Sequence, residues 1–204
     1  MMVSSIESMG KQKYIVRLDS GLSFPLYKGE IRILKLTVGK EVSETEYNSI
    51  MNVILPRRCK LRAMKLLEKR AYTEYMLKTK LLEGGYPVQT AELAMDYVKS
   101  FGYINDYKYC REFIESRISR CSVKEIRQKL LQKGIDIRCV DNALHETEAE
   151  DCESENDKES GLIRNLLVKR KYTKEMDYEE KQKLLQYFYR RGFDIDKVRK
   201  IMDE

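Results

Sequence analysis

Between Ser122 and Leu144 the apolar positions recur at helical spacing, stop at a glycine and then resume. Val123, Ile126, Leu130 and Leu131 form one stripe, and Ile137, Val140, Ala143 and Leu144 form a second. Ser122 and Glu125 have the spacing of a capping box, in which each side chain satisfies the other's backbone N–H. Gly134 stands where a helix ends in the left-handed conformation, Ile135 is the apolar residue that packs back over the last turn, and Asp136 caps the next helix. The pattern predicts a helix, a tight corner and a second helix. It recurs upstream, where Gly85-Tyr86-Pro87-Val88 leads into Ala91, Ala94, Met95 and Val98, and downstream, where Gly192-Phe193-Asp194-Ile195 leads into Val198, Ile201 and Met202. The three glycines lie 49 and 58 positions apart, close to the roughly 40–47 residues of helical solenoid repeats.

The remaining elements fall around these corners. Residues 1–57 are predicted to form a small β-hairpin plus helix module. Tyr14, Val16 and Leu18 alternate with Lys13, Ile15 and Arg17, Asp19-Ser20-Gly21 turns, and Leu22–Leu26 returns as an edge strand because Pro25 has no N–H to donate. Val3–Met9 adds a third strand, and Ser43 with Glu46 starts a helix reaching Leu55, before a joint at Pro56-Arg57-Arg58. So small a module is expected to pack on the helices that follow. The first three-helix repeat is assigned to residues 58–106. Leu61, Met64, Leu67 and Ala71 form its first inward stripe, Thr73 caps its second helix, and Pro87 sits in the first turn of its third. The second repeat, 107–150, has helices near 107–119, 122–133 and 137–146. An acidic connector and a third repeat occupy 151–204, with a long middle helix from Lys174 to Arg191. The fold class expected is mainly α: tandem three-helix repeats stacked into an elongated curved solenoid, with a small N-terminal β-containing module.

Charge sharpens this picture. The 204-residue chain carries a net charge of +6, yet Glu146–Glu159 holds eight acids against Lys158 alone, which leaves +13 on the rest. A basic body suits a polyanionic partner or an acidic protein surface. No apolar run is long enough to span a bilayer, and the N-terminus lacks the layout of a secretory signal, so a cytoplasmic protein without membrane contact is expected. The five cysteines are scattered and form no C-x-x-C pair, and His145 is the only histidine, placed at an expected helix end. They read as reduced, semi-buried thiols, with no metal and no cofactor.

No catalytic constellation stands out. There is no phosphate-cradling glycine loop, and His145 has no nucleophile spaced to it, so the chain is not expected to be an enzyme. The 14 tyrosines interleaved with Arg and Lys invite a base-stacking reading, although Tyr97 and Tyr109 fall at inward positions. The helix corners also suit a DNA-binding helix-turn-helix, repressor-like or architectural. Arg138 and Asn142 or Lys197, Arg199 and Lys200 would then face the duplex, but Asp141 opposes deep groove insertion and favours non-specific phosphate contact.

One stretch carries a family resemblance. Gly102-Tyr103-Ile104-Asn105-Asp106, then Tyr109-Cys110-Arg111-Glu112-Phe113, Arg117, and Ile126-Arg127-Gln128-Lys129-Leu130 with Lys133-Gly134-Ile135, resembles the RecX family of bacterial recombination regulators, with Cys110 where alanine is typical. The run Ala63–Leu82 resembles that family's first repeat, and the third repeat departs most, through its acidic insert and extended middle helix. The resemblance implies a non-enzymatic modulator of the RecA recombinase in DNA repair, recombination and the SOS response. Such a protein is a monomer that binds the RecA filament on DNA, limits strand exchange, ATPase and coprotease activity, and has weak non-specific affinity for DNA. The contact candidates are the basic residues flanking the corners: Arg70, Lys78, Lys80, Arg117, Arg120, Lys124, Arg127, Lys133, Arg190 and Arg191.

Overall fold

Three strands open the chain: β1 (Val3–Ser8), β2 (Lys13–Leu18) and β3 (Ser23–Tyr27). They pair antiparallel in the order β1-β2-β3. Pro25 lies opposite Ile15 on the edge strand, where its missing N–H interrupts no ladder on the outer side. Two short helices follow, α1 (Lys28–Ile33) and α2 (Glu44–Ser49). Val3, Val16, Leu18, Phe24 and Leu26 close a small core with Ile50 and Leu55 from the helical side. The computed structural model describes residues 1–152 and 158–204, so residues 153–157, at the heart of the acidic connector, lie outside the described residues. Two units result, Met1–Asn105 and Asp106–Glu204.

Ser43 caps α2 through a complete capping box: its hydroxyl accepts the Glu46 N–H at 3.2 Å, and the Glu46 carboxylate accepts the Ser43 N–H at 3.0 Å. Lys40 reaches the same carboxylate at 2.8 Å and the Leu34 carbonyl at 2.7 Å, pinning the preceding loop. The Lys40 ammonium first, and the Ser43 N–H second, hold the Glu46 carboxyl down at about 2, against an ordinary 4.5. A carboxyl depressed in the folded state stabilises it above the unfolded value, and that contribution is lost as pH falls through the folded value. Acid titration should therefore erode this stability between about pH 4.5 and about 2. The expected result is that Glu46→Gln flattens that stretch of the stability profile, measured by urea midpoints, and leaves no Glu46-linked slope.

The joint expected at Pro56 is not a break. A π-helical stretch, Ile50–Ile54, carries α2 directly into α3 (Leu55–Leu67). The Leu55 N–H bonds to the Ile50 carbonyl, five residues back. The wider turn accommodates a proline ring that would otherwise press on the carbonyl four residues before it. The inward stripe of α3 also differs from expectation. Leu55, Cys59, Ala63 and Leu66 are buried, whereas Leu61 is 44% exposed and Met64 and Leu67 are only half-buried. Cys59 and Ala63 are small, and they pack in one core with Ala91, Ala94 and Val98 of α5.

Three tandem three-helix repeats make up the remainder. The first holds α3, α4 (Glu74–Glu83) and α5 (Val88–Ser100); the second α6 (Asp106–Arg117), α7 (Val123–Gln132) and α8 (Ile137–Cys152); the third α9 (Lys158–Lys169), α10 (Tyr178–Arg190) and α11 (Ile195–Asp203). Each middle helix ends in the same way. Gly85, Gly134 and Gly192 have φ of 82°, 77° and 81°. The next N–H bonds five residues back, Tyr86 to Leu81, Ile135 to Leu130 and Phe193 to Phe188, at 3.4, 3.3 and 3.1 Å. This is the Schellman end, with its apolar residue folded under the last turn. Leu81, Leu130 and Phe188 are completely buried.

Several boundaries move. α10 begins at Tyr178, not near Lys174, because Asp177 caps it through the Glu180 N–H at 2.7 Å. α8 continues past residue 146 to Cys152, so exposed His145 lies inside a helix and not at its end. The expected packing of the β module on the helices is observed within the first unit. The Lys13 ammonium donates to the Gly84 carbonyl at 2.6 Å and lies 5.3 Å from the Tyr86 ring centre. Burial, and then Arg62 nearby, lower the Lys13 pKa.

Candidate functional site

In the second unit the start of α7 meets the end of α10. The Ser122 hydroxyl, fully buried, accepts the Glu125 N–H at 3.2 Å and donates to the Arg191 carbonyl at 2.6 Å. One side chain therefore caps α7 and satisfies an orphan carbonyl at the end of α10. The reciprocal half of the expected capping box is absent. Glu125 turns to Lys129 at 2.5 Å, which holds its carboxyl below the ordinary range. Separately, the Val123 N–H, in the first turn of α7, donates to Glu159 of α9 at 3.3 Å, and the other oxygen of that carboxylate receives Lys197 at 3.3 Å. Arg191 completes the joint: its guanidinium donates to the Tyr187 phenol at 2.8 Å and to the Arg120 carbonyl at 3.3 Å. Burial acts to raise the Tyr187 phenol, but hydrogen bonds from Arg191 and Arg170 bring it below its usual value.

This junction frames a cleft of about 340 Å³ lined by Lys124, Glu125, Gln128, Tyr189, Arg190 and Arg191. Gly192 forms its floor, with Lys124 so close that an added Cβ would lie 3.1 Å from the Lys124 Cβ. Glu125 is shared between Lys129 and Arg191, so Lys124, Arg190 and Arg191 leave the lining net positive. Lys124 and Arg190 enter no ion pair among the described residues, and Arg120 stands exposed beside them. Such a group can bind carboxylates or phosphates by charge-assisted hydrogen bonds.

The other candidates are held within their own repeats. Lys78 pairs with Glu92 at 3.0 Å, Lys80 with Glu83 at 2.6 Å and Arg127 with Asp141 at 2.8 Å. Arg70 stacks on Tyr72 at 4.5 Å, Arg117 on Phe113 at 4.6 Å, and Lys133 lies 5.8 and 5.5 Å from the rings of Tyr109 and Phe113. Of the ten, the structure brings together Arg120, Lys124, Arg190 and Arg191. Gln128 and Tyr189 share the cleft and were not singled out by sequence; their only signal is their place one turn or one residue from a basic candidate.

The helix-turn-helix alternative finds less to work with. Asp141 holds Arg127, Glu159 holds Lys197 and Asp196 holds Arg199 at 3.4 Å. Arg138 and Asn142 are exposed. Burial pushes the Cys59 and Cys110 thiols up to about 12, well away from reactive thiolates. Among the described residues no group of three or more His, Cys, Asp or Glu side chains is placed to hold a metal, and no helix is long and apolar enough to cross a membrane.

Comparison with known proteins agrees with this architecture repeat by repeat. Residues 59–97 match the first three-helix domain of RecX, 105–144 the second and 161–202 the third. A regulatory protein RecX of Caldanaerobacter subterraneus subsp. tengcongensis is 28% identical over 192 residues, covering 94% of this chain and 92% of its own length. One from Clostridium perfringens (strain 13 / Type A) is 31% identical over 142 residues, 68% of this chain and 64% of its own. A crystal structure of a regulatory protein RecX superposes with a TM-score of 0.66 at 25% identity, covering 100% of this chain and 99% of that one.

Proposed function

The chain belongs to the RecX family of regulatory proteins, and on that premise we propose that it modulates the RecA recombinase by binding the RecA filament on DNA. Binding there limits strand exchange, ATP turnover and coprotease activity, and needs no catalytic group in the chain itself. One observation supports the reading above others: Lys124, Arg190 and Arg191 line one cleft, with Arg120 joined to Arg191 through its backbone carbonyl, while the remaining candidates are engaged within their own repeats. Cations held on a buttressed joint lose little freedom on meeting an anionic partner, and several weak contacts along a repeating filament add through effective concentration. Arg191 also holds the joint, so its role is split between contact and support.

The test is inhibition of RecA's DNA-dependent ATPase by the full chain and by a triple variant, Arg120→Glu, Lys124→Glu and Arg190→Glu. All three positions are exposed, so the variant should keep its melting temperature. Its half-inhibitory concentration is expected to rise by about tenfold or more, given charge-pair couplings of about 1.5 kcal/mol upward at close contacts. Unchanged inhibition with the fold intact removes this face from the mechanism. Reversal of Lys78 and Lys80, which already have partners in the first repeat, should change inhibition less.

A further inference from the structure

The register of α3 leaves a second surface that the basic cleft does not explain. Met64 and Leu67 stay half-buried on the outer side of the first repeat, where with Glu68 and Tyr103 they line a pocket of about 360 Å³. Tyr103 is one end of a ladder of three rings. Tyr97 and Phe101 have centroids 4.9 Å apart, and Phe101 and Tyr103 stack at 5.6 Å with only 16° between their planes. Phe101 is 57% and Tyr103 53% exposed. The Lys60 ammonium sits 4.8 Å from the Tyr97 ring centre. Exposed aromatic rings stacked on one another, instead of folding into the core beside Ala94 and Val98, present a flat π surface to solvent.

The charge around the ladder selects the occupant. α3 carries Arg57, Arg58, Lys60, Arg62 and Lys65 and not one acid. Arg57 and Lys60 lie seven and four residues before Met64, on its side of the helix. Among the described residues Arg58 is the one of these in an ion pair, with Glu30 at 2.6 Å, while Lys60 rests on the Tyr97 ring. A flat aromatic platform with Arg57 and Lys60 on the same side of α3 is an arrangement that holds single strands, with bases on the rings and phosphates on the cations. Glu68 suits the same occupant, since a carboxylate accepts hydrogen bonds from the amino group of cytosine. An apolar protein segment would fill the pocket but leave the stacked ring faces and the cations without a role.

We propose that the Phe101–Tyr103 ladder, with the pocket between Met64 and Tyr103 and the cations of α3, is a binding site for an unstacked base of single-stranded nucleic acid. The site lies wholly within the first unit and is independent of RecA, because an oligonucleotide can bind it with no filament present. The stack supplies sequence-tolerant affinity, and Glu68 favours bases that carry an amino group.

The experiment is fluorescence anisotropy of a labelled oligo(dC) with the full chain, the double variant Phe101→Ala/Tyr103→Ala, and the conservative pair Phe101→Tyr/Tyr103→Phe. The alanine pair is expected to weaken binding by about tenfold or more while the slope of affinity against salt stays the same, since no phosphate contact has been removed. The conservative pair should restore affinity, and an abasic strand of equal length should bind the wild type and the alanine pair alike. Equal affinity of wild type and alanine pair for oligo(dC) overturns the proposal, as does equal loss on the abasic strand. An independent reading comes from Tyr103→Trp, a clean reporter because the chain has no tryptophan. Quenching by oligo(dC) but not by the abasic strand supports the site, and no quenching at saturation, or quenching only by an acidic apolar peptide, rejects it.

Discussion

Phe188→Ala is expected to destabilise the third repeat by about 3–5 kcal/mol, the cost of an emptied aromatic site in a packed core. Phe188 is completely buried and meets Phe193 edge-on at 5.4 Å. It also stands at the residue whose carbonyl receives the Phe193 N–H in the Schellman end of α10. Its removal therefore strips both the packing and the apolar clasp that holds the corner closed. Leu81 and Leu130 occupy the same place in the other repeats, so Leu81→Ala and Leu130→Ala should each cost about 2–5 kcal/mol. Urea unfolding followed by circular dichroism measures all three. A loss below about 1 kcal/mol at Phe188 would contradict the burial described here.

Gly192→Ala should be damaging on two separate counts. With φ at 81°, alanine there pays the left-handed penalty of about 1–2 kcal/mol. Its Cβ would also lie 3.1 Å from the Lys124 Cβ and 3.2 Å from the Ser122 Oγ, the atom that ties α7 to α10. Gly102→Ala separates the two effects, because Gly102 has φ of 66° and nothing within 4 Å of an added Cβ. The expected result is the left-handed penalty alone, about 1–2 kcal/mol, at Gly102 and a clearly larger loss at Gly192. Equal losses would mean that the joint yields freely and the contact has no energetic weight. If the proposed RecA modulation runs through the cleft, Gly192→Ala should weaken it as well, since the change shifts Lys124 relative to Arg190.

Much of this fold could be read from residue order because the decisive chemistry is local. A left-handed glycine followed by an apolar residue marks a helix end wherever it occurs, and three such corners disclosed the repeats. Alternation with Pro25 at an edge likewise exposed the sheet. What escaped were features settled by distant partners. Glu125 has the spacing to accept the Ser122 N–H, but Lys129 takes its carboxylate, and a different amide of the first turn, that of Val123, finds its acceptor in Glu159, 36 residues away. The stripe Leu61–Met64–Leu67 looked more hydrophobic than Cys59–Ala63, yet close approach of α3 to α5 selected the smaller residues. The basic candidates were legible as charges and not as a cluster: which of them stay available depends on carboxylates elsewhere, as with Arg127 and Asp141.

The π turn ahead of Pro56 bears on what the N-terminal region is for. A proline followed by two arginines looks like a seam along which the first fifty-odd residues could be shed, but the backbone there belongs to one unbroken rod from Glu44 to Leu67. Severing it would strand the first amide groups of α3 without acceptors and lift the Ile15 methyl from above Gly85. The small sheet thus serves as a splint for the repeat beside it.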